Sequence, residues 1–152
     1  TVEQLVVGDR GAGTHVIDEH YVMVDMHDND SPDGFSWYTL PETLRSIGLF
    51  NDIKMLKVTD DDMVPFVGSG DVVIYDPRVR RIQANGVYVL KIDERFIVRR
   101  AQRGIKNNIR LICDNPLFDD ESLNESDFSE NDQDTDRIYV AGHVVGHINI
   151  GG

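Results

Sequence analysis

The sequence predicts a mainly β protein: a strongly twisted, mostly antiparallel sheet, partly closed into a barrel, with one short helix. Three observations predict it. Runs of six or seven residues rich in Val, Ile, Leu and Tyr alternate with Gly, Asp, Asn and Pro. Two of these runs are joined by Asp93-Glu94 alone, the spacing of a tight hairpin. A single segment carries both a start and a stop signal for a helix. At 152 residues the chain has the length of one ordinary domain, long enough to bury a core.

Residues 1–19 are polar, contain "GDRGAG", and predict a linker with at most a short strand at Leu5 to Val7. "HYVMVDM" at 20–26 alternates apolar and polar side chains, the pattern of a half-buried strand. After the turn-rich 27–36 comes "TLPETLRSIGLF". Thr39 and Glu42 form a capping box, Pro41 lies in the first turn and Gly48 is a stop, so a helix of about two turns is expected. "IKMLKV" (53–58) and "DVVIYD" (71–76, after a Gly-Ser-Gly turn) read as strands. So do "GVYVLKI" (86–92), "RFIVRRA" (95–101), "NIRLIC" (108–113) and "RIYVAGHVVGHINI" (137–150). If the last strand is regular, Val140, Val144, Ile148 and Ile150 share one face, with Ala141, His143, Val145 and His147 on the other.

Apolar residues make up 40 % of the chain, but no apolar run approaches the roughly 18 residues of a membrane span. No targeting segment is evident, and the single cysteine, Cys113, cannot form an internal disulfide; both fit a reducing cytoplasm. Cys113 follows Leu111 and Ile112 and reads as a buried strand thiol. The formal charge of −12 disfavours phosphate binding by this segment. Residues 119–136 hold nine acids and no Lys or Arg, and setting them aside leaves −3. With only Leu123 and Phe128 as apolar anchors, this stretch predicts a mobile, acidic loop dispensable for folding. No calcium-loop spacing is present, and "DNDSPDG" (28–34) places its third Asp one residue late. His143 and His147 would share a strand face, but the sequence nominates no third zinc ligand. No metal and no cofactor is therefore expected.

The stretch that carries chemistry is "DDDMVPFVGSGD" at 60–71. With "GVYVLKIDERFIVRRA", "LICDNP" and "YVAGHVVGHI" following in order, it resembles the C-terminal domains of LexA-type and lambda-type phage repressors. Their G-D-S-M-x-P-x-x-x-x-G-D element is matched here at Asp61, Met63, Pro65, Gly70 and Asp71. The resemblance spans about residues 20–150 and makes residues 20–152 a C-terminal oligomerisation domain. It implies that the serine of that element is a nucleophile and a lysine of the later strand its base. A serine hydroxyl needs an adjacent base to attack, and a lysine serves only when its amine is neutral. Here Asp62 stands at the serine position, Arg99 at the lysine position, and Asp60 replaces the glycine that admits the substrate. A guanidinium stays protonated, so the resemblance implies a pseudo-peptidase with a degenerate dyad. Asp60, Asp61, Met63 and Pro65 then mark a former active-site loop.

The expected function is self-association that holds N-terminal helix-turn-helix domains on paired operator half-sites, as in a phage or prophage transcriptional repressor. Val140, His143, Val144, His147 and Ile148 are the expected contact residues of a homodimer or higher homo-oligomer. Operator DNA, bound through the N-terminal domain, and an antirepressor protein or peptide are the other expected partners, with no membrane. The alternative is an active self-cleaving peptidase with a rearranged dyad, cutting near Ala12-Gly13. At the dyad the expectation is an Asp62–Arg99 ion pair, with Arg100 on the opposite face and more exposed.

Overall fold

The structure, a computed structural model, describes residues 14–16, 21–30, 36–41 and 53–150. Its strands are β1 (Thr14–Val16), β2 (Tyr21–His27), β3 (Ser36–Pro41), β4 (Lys54–Lys57), β5 (Val72–Asp76) and β6 (Gly86–Ile92). They continue with β7 (Arg95–Arg103), β8 (Asn108–Ile112), β9 (Glu121–Asn124), β10 (Phe128–Ser129) and β11 (Ile138–Ile148). All belong to one sheet, ordered β1-β2-β4-β5-β11-β6-β7-β8-β9, with β3 on β2 and β10 on β11. Only β2–β4 and β10–β11 run parallel, so the mainly β, mostly antiparallel expectation holds. The sheet does not close into a barrel. At its far end, among the described residues, β9 pairs only with β8, and its exposed Glu121, Ser122 and Asn124 suit a solvated edge. Among the described residues no helix is long and apolar enough to cross a membrane.

The expected helix is corrected at its start. Thr39, Leu40 and Pro41 end β3, paired with Met23, Val22 and Tyr21. A capping box satisfies two N–H groups locally, whereas this ladder pairs every residue from Ser36 to Pro41 with β2. The remainder of the expected helix, and the expected strand at Leu5 to Val7, lie outside the described residues. Within the segment expected as linker, Thr14–Val16 is a strand on β2. Among the described residues the helical structure is one 3-10 turn, Glu125–Asp127.

Within the acidic stretch, expected as a loop, two strands form: β9 pairs with β8 and β10 with β11, while Leu123 and Phe128 pack on a core cluster containing Ile82, Leu90, Ile109 and Val140. Arg81 and Arg103 both reach Glu125, at 3.3 and 2.9 Å. Composition alone predicts repulsion there; at Glu125 it is offset by Arg81, in the turn before β6, and Arg103, on β7.

The central strand β11 carries two bulges. Against β6 the register shifts between Val140 and Gly142, and against β5 between Val144 and Gly146. Each adds a residue and flips the side chains that follow. Ile138 and Val140 thus join the Ile82–Leu90 cluster, Ala141 and Val144 join one with Met63, Val73 and Val89, and Val145 and Ile148 pack on one with Ile53 and Met55. The first bulge needs glycine, because a Cβ at Gly142 would lie 2.5 Å from the Asp76 carbonyl oxygen. Where the sequence signal was strongest, the structure agrees. Asp93 and Glu94 have φ of 50° and 65° and link Ile92 to its partner Arg95 in a two-residue hairpin.

Candidate functional site

The loop 58–71 joins β4 to β5 and is closed at its base. Val58 N donates to Asp71 O and Gly70 N to Val58 O, both at 2.8 Å. Inside the loop the chain coils tightly, with Phe66 N and Val67 N both donating to Met63 O. The Asp71 carboxylate accepts from Gly68 N and Ile150 N, both at 2.8 Å, and from Asn149 Nδ2 at 3.1 Å. These donors, Gly68 first, hold its carboxyl below the usual range. Met63 is fully buried beneath the loop, and Pro65 lies on its exposed outer side.

The three consecutive aspartates have three different surroundings. Asp60 meets Arg95 at 3.1 Å at the surface. Asp61 is exposed and its Oδ1 accepts from Ser69 N at 2.8 Å, a bond within the loop. Asp62 alone is buried, 9 % exposed. A second turn, following β8, fixes it: Asn115 N donates to Asp62 O at 3.1 Å and Asn115 Nδ2 to Asp61 O at 2.9 Å. Asp114 N also donates to Met63 Sδ at 3.4 Å. The "LICDNP" segment therefore clamps the loop.

Arg99 on β7 reaches the buried carboxylate. Its Nη1 donates to Asp62 Oδ2 at 2.7 Å and to Val98 O at 2.8 Å. The expected ion pair is present. Arg100, the next residue, makes a bidentate pair with Asp114 at 2.9 and 2.7 Å, which strengthens its hold on the proton. Its side chain is 40 % exposed against 17 % for Arg99, as alternation along a strand requires. Burial pushes the Cys113 thiol up, away from thiolate reactivity. Beside Asp62 the cavity lined by Asn29, Leu56, Thr59, Phe96 and Val98 measures about 10 Å³, room for a single water.

The expected contact residues of β11 are not brought together. Val140 and Val144 are 1 % and 9 % exposed and belong to two different core clusters, so the protomer's own core consumes them. His143 lies opposite Tyr88 and tilts on its ring, while His147 lies opposite Val73 and tilts on Phe66. The bulge at Val145 sets the two histidines on opposite faces, which overturns the shared face a regular strand would give. Ile148 is half-buried and His147 exposed. Among the described residues, no three His, Cys, Asp or Glu side chains are grouped as a metal site needs.

Sequence reasoning missed His27 and Asp114. The His27 Nε2 lies 2.7 Å from the Tyr75 hydroxyl, its ring meets Phe96 edge-on, and its Nδ1 is buried without a partner. Burial, then the nearby Lys54 charge, lower its pKa to about 4, with Asp28 opposing. Asp114 had a signal: it falls two residues beyond Ile112, the β8 partner of Arg100.

Compared with known families, residues 38–145 match the one described as Peptidase S24-like. That span contains the 58–71 loop, Arg99 and the Asn115 turn. No curated protein matches the chain.

Proposed function

As the chain belongs to the Peptidase S24-like family, we propose that it is a non-catalytic, self-associating C-terminal domain of a phage or prophage transcriptional repressor. The Asp62–Arg99 pair at 2.7 Å is the observation that supports this reading. Peptide hydrolysis of the family's type needs a nucleophile free to attack and a base that can take its proton. An Asp62 oxygen is engaged by Arg99, a guanidinium does not act as a base, and the adjoining cavity admits no peptide carbonyl.

In this reading the domain pairs two copies in the bacterial cytoplasm and so raises the effective concentration of two operator-binding helix-turn-helix domains. The exposed end of β11 and its continuation, His147 and Ile150 beside the half-buried Ile148, is the proposed contact. An antirepressor protein or peptide then supplies the release that cleavage would otherwise provide.

The test is incubation of the protein from about pH 7 to about pH 10, with and without recombinase filaments, followed by mass spectrometry. The intact mass should persist. A fragment starting near Gly13 that disappears in Asp62→Ala would instead establish a peptidase with a rearranged dyad.

A further inference from the structure

A second site lies away from the Asp62–Arg99 pair. A cavity of about 270 Å³ opens between the 80–82 turn, the acidic segment and β11, and shares no lining residue with the pair. Ile82, Ile109 and Val140, all nearly inaccessible, form its apolar floor with Phe128. Three guanidiniums, Arg80, Arg81 and Arg137, stand on its lining against Glu125 and Glu130. The volume is near the lower end of ordinary ligand pockets, roughly 300 Å³, and suits one side chain or a small organic acid.

The placement of weakly paired cations distinguishes this cavity from a gap. The chain has 27 acids for 15 Lys and Arg, enough to saturate every base. Among the described arginines, 78, 95, 99, 100, 103 and 110 each have a carboxylate within 3.1 Å, and Arg81 has one at 3.3 Å. Arg80 has none: its Nε donates to Pro77 O and its guanidinium lies 5.5 Å from the Tyr139 ring. Arg137 has only Asp134, at a loose 3.9 Å. Both line this cavity. Arg81, the third, shares its Glu125 with Arg103.

We propose that this cavity binds a carboxylate carried on an apolar body, the guanidiniums of Arg80 and Arg137 taking the carboxylate and the Ile82–Ile109–Val140 floor the apolar part. Paired donors on planar guanidiniums match a carboxylate's two oxygens. The two glutamates and the overall −12 charge oppose polyanions such as nucleic acid, whose binding needs many cations. The carboxylate can belong to a free small acid or to an acidic residue of a peptide. The site is independent of whether the chain cleaves peptides.

Nuclear magnetic resonance titration of the labelled protein tests it, with 4-phenylbutyrate as the free acid and acetyl-Phe-Glu-Leu-amide as the peptide. At least one should move the amide signals of Arg81, Ile82, Glu125, Phe128 and Ser129, and which one does identifies the source. The neutral 4-phenylbutanamide should bind about tenfold more weakly or not at all. Combined Arg80→Gln and Arg137→Gln, both at exposed positions, should weaken binding by about tenfold, whereas Arg95→Gln should leave it unchanged. Glu130→Gln should tighten it, which gives a second reading should the double variant fold poorly. No movement with either acid, equal binding of the amide, or undiminished binding by the double variant would overturn the proposal.

Discussion

Two sites that bury ionisable groups behave oppositely at the residue scale. Asp62 and Arg99 compensate each other, so removing one strands the other. Their side chains are 13 % and 17 % exposed, which places the cost of Asp62→Ala or Arg99→Ala at roughly 3 kcal/mol, the low end for a buried pair. The double variant should lose clearly less than the sum, and urea unfolding of the four proteins in the cycle measures the difference. Strictly additive losses would show that the pair carries no coupling. His27 has no such partner. Its folded pKa of about 4 lies below the 6.5 of an unperturbed imidazole, so the unfolded chain binds the proton more readily. Stability is therefore full above about pH 6.5 and falls as pH drops toward about 4, by on the order of 3 kcal/mol at most. His27→Phe should flatten the pH dependence of the melting temperature in that window, whatever its effect at neutral pH.

Elements depend on both local geometry and remote partners. The β6–β7 hairpin holds Asp93 and Glu94 at positive φ, where side chains with a Cβ are strained. Asp93→Asn with Glu94→Gly supplies the residues such a turn prefers and should raise stability by about 1 kcal/mol, read from the unfolding midpoint. Only the Lys91–Glu94 contact at 3.9 Å is lost, an exposed pair of little worth. The acidic segment lies at the other extreme. Nothing in its composition favours order, yet β9 and β10 are stitched to β8 and β11 and Phe128 packs on the core. Phe128→Ala should cost about 2 kcal/mol, less than a fully buried Phe because this ring is half-buried. Deletion of 119–136 should lower the melting temperature sharply; a change of only a few degrees would restore the loop reading.

Self-association is the prediction at the scale of the whole molecule. Light scattering at micromolar concentration should give at least a dimer, and His147→Asp with Ile150→Asp should shift it toward monomer. Both residues are exposed, Ile150 at 47 %, and neither belongs to a buried core cluster. A wild-type protein that stays monomeric at high concentration would remove the proposed contact.

What the sequence determined by itself is whatever a few neighbouring residues decide. Strand periodicity, the two-residue hairpin, the loop before β5 and the identities at positions 62 and 99 were all legible, because alternation and turn chemistry act within about ten residues. That Asp62 meets Arg99 followed only once the resemblance had supplied a fold. The tertiary structure decided the rest. Thr39–Pro41 became strand because β2 offered a ladder. The bulges of β11 arose where a central strand must match β6 on one side and β5 on the other, and they moved Val140, Val144 and the histidines off their expected faces. The acidic segment packs on the sheet with its Glu125 held by Arg81 and Arg103, 44 and 22 residues away in sequence. Each of these outcomes depends on a partner distant in sequence, which no local pattern encodes.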